Sequence, residues 1–62
     1  MPLVTIKVIE GRTAEQKRGM AEDVTKAIVK NIGCPSSAVN IEIVEMKPQN
    51  FAMDGKLWCD TH

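Results

Sequence analysis

The sequence contains few residues of the kinds that form metal centres, disulfide frameworks or histidine-based catalytic sites. Its two cysteines, Cys34 and Cys59, are too few for a disulfide framework and lack the CxxC or Cys/His spacing of a zinc site. His62 is the only histidine and the last residue, which argues against a histidine-based triad. We therefore expect no metal site and no disulfide.

Features of nucleic-acid-binding and membrane proteins are also scarce. Eight basic and eight acidic residues cancel, no basic stripe is present, and Phe51 and Trp58 are the only aromatic residues. Binding to nucleic acid is therefore not expected. No apolar run approaches the roughly 20 residues of a membrane span, and the first residues lack the charged and apolar regions of a signal peptide. We expect no membrane association and a cytoplasmic location.

What is present is a small chain rich in apolar residues. Its 62 residues predict a single domain over 1–62, and 44% of them are hydrophobic. A chain of this length buries only about 60% of its unfolded surface, so its core is marginal. Small domains usually need disulfides, a metal or oligomerisation to be stable. Because the first two are unsupported, we expect an oligomer whose subunit interfaces complete the core.

Pro2 directly follows the initiator methionine. Methionine is normally removed before a small residue such as proline, and removal would leave Pro2 with a free secondary amine. A free α-amino group has a pKa of about 7.7–8.0, whereas an amide nitrogen is not a base. General bases work best when their pKa lies near the working pH, and an apolar or cationic setting would lower that of a ring amine. Pro2 is thus a candidate general base, although taken alone it is also a common second residue.

Alternating apolar residues predict two strands. Leu3–Ile9 places Val4, Ile6 and Val8 on one face, and Val39–Met46 shows the same alternation. A paired strand that begins at residue 3 would hold the N-terminus in place.

A helix is predicted between the strands, from Ala14 to about Ile32. Thr13 begins a capping box with Gln16 at the third helical position, and Gly33 ends the helix as a left-handed cap. The apolar stripe is predicted to consist of Met20, Ala21, Val24, Ala27, Ile28 and Ile32. The solvent side is predicted to carry Lys17, Arg18, Glu22, Asp23, Lys26 and Lys30. Strand, helix and strand together predict a βαβ unit with parallel strands and a right-handed crossover.

The C-terminal segment predicts a short hairpin. Pro48 interrupts the second strand, and Asp54-Gly55 is a strong two-residue turn signal. The hairpin and its flanks carry the apolar residues Phe51, Met53, Leu57 and Trp58. We expect this segment to pack on a neighbouring subunit. Two strands and one helix also leave open sheet edges, which must pair with other subunits or invite aggregation.

Pro2 and Arg12 lie at opposite ends of the first strand. Extended chain rises about 3.3 Å per residue, so within one subunit the two residues are more than about 20 Å apart. They can meet only if Arg12 of one subunit approaches Pro2 of another.

The chain resembles the short-chain members of the tautomerase superfamily, typified by 4-oxalocrotonate tautomerase. The matching residues are Pro2, the segment Glu10-Gly11-Arg12-Thr13 followed by Glu15-Gln16-Lys17, the pair Glu45-Met46, and Phe51 before Gly55. The resemblance covers nearly the whole chain in length and element order. The N-terminal proline together with E-G-R-T-x-E-Q-K is specific, and the match in the C-terminal segment is weaker.

The resemblance implies an α/β (α+β) fold of the tautomerase/MIF-like type, a single βαβ unit with a C-terminal β-hairpin whose sheet is completed by oligomerisation. It implies a homohexamer built as a trimer of dimers, and a cofactor-independent isomerase for enol and 2-oxo acid substrates such as those of aromatic degradation. Pro2 would be the general base, and Arg12 of an adjacent subunit would bind the substrate carboxylate. Phe51 would provide an apolar wall that lowers the proline pKa, and the backbone amide of Ile9 would help to hold substrate.

The sequence departs from the family pattern at Asn40. The type enzyme has a second arginine there, and a neutral donor in its place could cost about 2.7–4 kcal/mol of transition-state stabilisation, by analogy with oxyanion holes. A monoacid enol, such as a 2-hydroxydienoate or an aryl enolpyruvate, is then a better candidate substrate than the diacid 2-hydroxymuconate. Family members that hydrate 3-haloacrylates need a water-activating glutamate near Met53, which argues against that dehalogenase activity.

Two alternatives remain open. The chain could be a non-catalytic βαβ assembly module, or one subunit of a hetero-oligomeric tautomerase in which a partner chain supplies the missing cation.

Overall fold

The computed structural model describes residues 1–62 and contains a βαβ unit followed by a β-hairpin and a short helix. The strands and helices are β1 (Leu3–Ile9), α1 (Ala14–Ile32), β2 (Asn40–Met46), β3 (Ala52–Met53), β4 (Lys56–Leu57) and α2 (Trp58–Thr61). Two 3₁₀ turns precede β2 and β3, at Ser36–Ala38 and Pro48–Asn50. The predicted α+β fold class is confirmed. No helix combines the length and the apolar character needed to cross a membrane.

β1 and β2 form a parallel pair. Their register runs from Leu3 opposite Asn40 to Ile9 opposite Met46, as the βαβ pattern predicts. β2 begins one residue later than expected, because the backbone N–H of Val39 donates to the carbonyl oxygen of Ser36 at 3.2 Å and so closes the 3₁₀ turn instead of joining the sheet.

Local signals set the limits of α1. The Gln16 N–H donates to Thr13 Oγ1 at 3.1 Å, and the Thr13 N–H donates to Gln16 Oε1 at 2.9 Å, which is the predicted capping box. At the other end Gly33 adopts φ 83° and its N–H donates to the carbonyl oxygen of Val29 at 3.0 Å. The capping residue Thr13 contributes about 1 kcal/mol, and it fixes the start of α1 at Ala14, two residues after Arg12.

The half-buried face of α1 differs in part from the predicted stripe. It consists of Lys17, Met20, Ala21, Val24, Thr25, Ile28 and Val29. The prediction was wrong for Ala27, which lies roughly a quarter turn away from the centre of this face and is exposed. Ile32 has suitable spacing but ends the helix and is 66% exposed, so the subunit itself leaves it uncovered. Lys17 was expected on the solvent side and is instead half-buried against β2.

One subunit does not enclose a core. No residue is fully buried, and the accessible surface is 4867 Å², against about 4,000 Å² for a compact monomer of this mass. The Cα radius of gyration is 14.6 Å, whereas a compact domain of this length has about 11 Å. Leu3, Met53 and Leu57 are 79%, 59% and 39% exposed. The chain by itself therefore leaves most of its apolar residues partly open to solvent.

Candidate active site

Pro2 lies directly before β1 and is tied to the neighbouring strand. The backbone N–H of Asn40 donates a hydrogen bond of 3.1 Å to the carbonyl oxygen of Pro2. Pro2 is half-buried, whereas Met1 is 89% exposed. Removal of Met1 therefore removes few packing contacts. The proline nitrogen that it frees would be held at a defined position beside β2.

The side chain of Asn40 is engaged locally. Its Nδ2 donates to the carbonyl oxygen of Ala38 at 3.2 Å, which holds the side chain against the turn before β2. An adjoining hollow of about 330 Å³ is lined by Leu3, Val4, Thr5, Asn40, Ile41 and Glu42. None of these residues is a cation. The side chains that line this hollow therefore offer a neutral hydrogen-bond donor and a carboxylate, but no cation.

Arg12 lies beyond the opposite end of β1, between two fixed points of the backbone. The Glu10 N–H donates to the carbonyl oxygen of Met46 at 2.9 Å and so extends the strand pairing, and Thr13 caps α1. Gly11 turns the chain from strand to helix with φ 120°, a conformation that glycine adopts easily. Arg12 is exposed, and its guanidinium makes neither a hydrogen bond nor an ion pair within the subunit.

Two hollows adjoin Arg12. The helix-side hollow, of about 180 Å³, is lined by Val8, Arg12, Gln16, Lys17 and Met20. The tail-side hollow, of about 390 Å³, is lined by Val8, Ile9, Glu10, Gly11, Arg12 and Trp58. A guanidinium with no internal partner at the edge of both hollows is suited to bind a carboxylate through two parallel hydrogen bonds.

An ion pair neutralises the second cation of the helix-side hollow. Lys17 Nζ contacts Glu45 Oε1 and joins α1 to β2. The two side chains are 28% and 39% exposed, so the pair is partly screened by water. Arg12 is thus the unpaired cation of this hollow.

The C-terminal segment brings aromatic residues to the same end of the sheet. The backbone N–H of Trp58 donates to the carbonyl oxygen of Phe51 at 2.8 Å. The centroids of the two aromatic rings lie 6.0 Å apart, and the ring planes are inclined at 59°. The indole of Trp58 also stacks on the His62 imidazole, with the ring centroids 3.5 Å apart and the ring planes inclined at 7°. Because Trp58 also lines the tail-side hollow, it connects Phe51 to Ile9 and Arg12.

The predicted site residues therefore form two half-sites. Pro2 and Asn40 lie at one end of β1, and Ile9, Arg12 and the Phe51 segment lie at the other. Seven residues of extended strand separate the two ends by more than about 20 Å. Within one subunit Pro2 and Arg12 do not meet.

Sequence reasoning missed the place of Trp58. We interpreted it as one of several apolar residues of the hairpin, because α2 spans only four residues and shows no helical periodicity. The signal that could have found it is the spacing of the only two aromatic residues on either side of the Asp54-Gly55 turn. In a hairpin that spacing brings flanking residues together.

The βαβ fold agrees with the comparison with known proteins. A sequence model described as tautomerase enzyme matches residues 2–60. The chain belongs to the tautomerase family. Its relatives include 2-hydroxymuconate tautomerase of Bacillus subtilis, which is 42% identical over 60 residues covering 97% of this chain and 97% of that protein. Tautomerases are isomerases, which confirms the predicted enzyme class.

Solved tautomerase structures share the whole fold. YwhB, described as a homologue of 4-oxalocrotonate tautomerase, superposes with a TM-score of 0.93 at 39% identity, covering 98% of this chain and 100% of that chain. A heterohexamer 4-oxalocrotonate tautomerase from Chloroflexus aurantiacus superposes with a TM-score of 0.94 at 27% identity, covering 100% of both chains. The predicted resemblance to the 4-oxalocrotonate tautomerase group is confirmed.

Proposed function

We propose that this chain is a cofactor-independent keto–enol tautomerase for 2-hydroxydienoate and 2-oxo acid substrates. Pro2 is its general base after Met1 is removed, and Arg12 binds the substrate carboxylate. The observation that carries the proposal is the pair of half-sites. A proline anchored at the start of a strand lies at one end, and a guanidinium without an internal partner lies at the other.

The reaction transfers one proton from the enol hydroxyl to a carbon atom of the substrate. The neutral nitrogen of Pro2 accepts the proton of the enol hydroxyl, and the electrons of that O–H bond form the carbonyl. The conjugated double bond shifts, and the protonated proline returns the proton to the distal carbon. Arg12 holds the carboxylate and draws electron density along the conjugated chain. Phe51 would shield the proline nitrogen from water, which favours its neutral form, while the backbone amide of Ile9 hydrogen-bonds substrate.

The proposed mechanism needs an assembly, because Arg12 must come from an adjacent subunit. The absence of any fully buried residue and the exposed Leu3, Met53 and Leu57 support extensive contacts between subunits. We propose a homohexamer built as a trimer of dimers, with the 1–62 domain as the repeating unit. A six-subunit assembly is supported by the Chloroflexus aurantiacus protein of the same fold, which is described as a heterohexamer.

Charge in the two half-sites favours a substrate with one carboxylate. Arg12 is the cation of the tail-side hollow, and Glu10 lines the same hollow. At the other half-site Asn40 supplies a neutral amide next to Glu42. A second carboxylate would meet no positive charge at either place. The Bacillus subtilis relative is named for a diacid, 2-hydroxymuconate, so the proposed preference for a monoacid would distinguish this chain from that relative.

Chemical synthesis of the chain from Pro2 to His62, with and without an N-acetyl group, tests the role of the amine. Acetylation leaves every side chain in place and converts the basic amine of Pro2 into a non-basic amide. The free chain is expected to convert phenylenolpyruvate to its ketone, followed by ultraviolet absorbance, and the acetylated chain to be slower by at least about 100-fold. Equal rates would contradict the proposal. Intact mass of the bacterially expressed protein shows separately whether Met1 is removed.

A second candidate function is that of one subunit in a hetero-oligomeric tautomerase. Two observations favour it: Asn40 brings no cation to the Pro2 half-site, and a relative of the same fold is a heterohexamer. Purification from the native cell at endogenous expression distinguishes the two. A second small chain in stoichiometric amount, with turnover only in the mixture, would establish the hetero-oligomer.

A further inference from the structure

The tail-side hollow has the composition of a small-molecule site with one charged and one aromatic wall. Its volume of about 390 Å³ lies within the roughly 300–1,000 Å³ of ligand pockets. Arg12 is its only cation and Trp58 its only aromatic residue. The proposed mechanism uses Arg12 and the backbone of Ile9, and leaves Trp58 without a role.

Trp58 is held in place from two sides. The backbone N–H of Trp58 donates to the carbonyl oxygen of Phe51, which positions the main chain, and the Phe51 ring lies against the indole with the ring centroids 6.0 Å apart. His62 covers one face of the indole at 3.5 Å, and Thr61 Oγ1 lies 2.8 Å from His62 Nδ1 and so fixes the imidazole in turn. An aromatic ring already held in one orientation loses little conformational entropy when a ligand packs against it.

We infer that Trp58 is a specificity-determining residue that selects enol acids carrying an aryl group. In this arrangement Arg12 binds the carboxylate, and the aryl group packs against the indole in the remaining part of the hollow. Aromatic pairs are favourable beyond the area that they bury, so the indole discriminates an aryl group from a saturated group of similar size. The inference rests on the proposed tautomerase function for the reaction, but the binding itself does not depend on Pro2.

Kinetic specificity provides the first test. Trp58→Leu and Trp58→Phe are compared with the unmodified protein on phenylenolpyruvate and on the enol of 2-oxohexanoate, which also has one carboxylate but no ring. Trp58→Leu is expected to lower the aryl-to-alkyl ratio of kcat/KM by about 3- to 10-fold, and Trp58→Phe is expected to retain most of it. Equal losses on both substrates in Trp58→Leu would indicate a merely structural role and overturn the inference.

A binding measurement provides the second test, and it needs no turnover. Trp58 is the only tryptophan and the chain contains no tyrosine, so the emission of the protein reports on the indole alone. The assembled Pro2→Ala variant is titrated with 3-phenylpropanoate, and with 3-cyclohexylpropanoate as the saturated control of equal charge. We expect a saturable emission change at lower concentration for the phenyl acid, and loss of that change in the Pro2→Ala/Arg12→Gln protein.

The two tests separate the inference from the function on which it rests. If the Pro2→Ala variant binds the phenyl acid in a saturable, Arg12-dependent way while the unmodified protein without Met1 turns over no enol, the tautomerase proposal is refuted and the aryl-binding hollow is retained. Turnover that requires Pro2, with equal affinity for the phenyl and cyclohexyl acids, would retain the tautomerase and refute the role of Trp58.

Discussion

The backbone N–H of Asn40 donates to the carbonyl oxygen of Pro2, and this bond of 3.1 Å joins the two residues that define the N-terminal half-site. It lies one position before the first ladder pair, Leu3 opposite Asn40. The residue whose nitrogen is proposed to move the proton is therefore held by Asn40, where the family resemblance implies a second arginine in the type enzyme. Changes at Asn40 should keep this backbone bond, because it uses no side-chain atom.

Asn40→Arg is expected to shift specificity towards diacids. The new cation would face a second carboxylate, so the ratio of kcat/KM for 2-hydroxymuconate over phenylenolpyruvate should rise by about 10-fold or more. Loss of the Nδ2 bond to Ala38 should lower the free energy of unfolding by about 1 kcal/mol. Asn31→Arg is the matched control, because Asn31 makes a similar bond to the carbonyl oxygen of Ala27 but lies on α1. If Asn31→Arg shifted the ratio of kcat/KM by a similar amount, the shift would be a long-range effect of the added charge and not of its position at residue 40.

Arg12→Gln is expected to raise KM for monoacid enols and to lower kcat/KM by about 10- to 100-fold, because a charge-assisted contact is replaced by a neutral one. Steady-state kinetics by ultraviolet absorbance checks this. Arg18→Gln removes the same charge from the exposed side of α1 and should change kcat/KM by less than twofold. If the two variants behaved alike, Arg12 would have no special part in binding.

Lys17→Met should destabilise the protein only slightly. The Lys17–Glu45 pair is partly exposed, and such pairs contribute about 0.2–1 kcal/mol. A double-mutant cycle with Glu45→Gln, measured by urea denaturation at fixed protein concentration, isolates the coupling between the two side chains. A coupling well above 1 kcal/mol would mean that the assembly buries the pair more deeply than the subunit does.

Stability should depend on protein concentration, because in the proposed assembly a subunit without a buried residue gains its core from its neighbours. The urea midpoint is expected to rise over a 100-fold increase in concentration. Met53→Glu should lower that midpoint and shift the sedimentation coefficient towards smaller species. Lys56→Glu, its partner across the hairpin, is exposed and serves as the control. A concentration-independent midpoint would mean that the subunit folds alone.

The sequence predicted those elements whose ends carry local chemical signals. Thr13, Gln16 and Gly33 set the limits of α1 through their own hydrogen bonds and backbone angles, and the Asp54-Gly55 turn set the hairpin. Contacts between elements were harder to predict. Lys17 was placed on the solvent side because charge is usually solvated, yet it pairs with a residue 28 positions away.

In the candidate site, too, contacts between elements were harder to predict than the residues themselves. The types of residue at positions 2, 12 and 40 can be interpreted along the chain, since each has its own chemistry. The position of Trp58 beside Arg12 depends on how the C-terminal segment folds back across the end of the sheet, and no periodicity in a four-residue helix encodes that path. The proposed meeting of Pro2 with Arg12 requires two chains, so no feature of one chain's fold encodes it.

Pro2 and Arg12 occupy opposite ends of β1, so in the proposed assembly one subunit contributes them to two different active sites. A mutation of Pro2 and a mutation of Arg12 in that subunit therefore inactivate different sites. Two gene copies, one defective at each position, would encode subunits that are inactive alone. Mixed together, they would form some sites from an intact proline and an intact arginine. If the gene is duplicated, one copy can therefore lose Pro2 and the other can lose Arg12, and the two products together can still form an active enzyme.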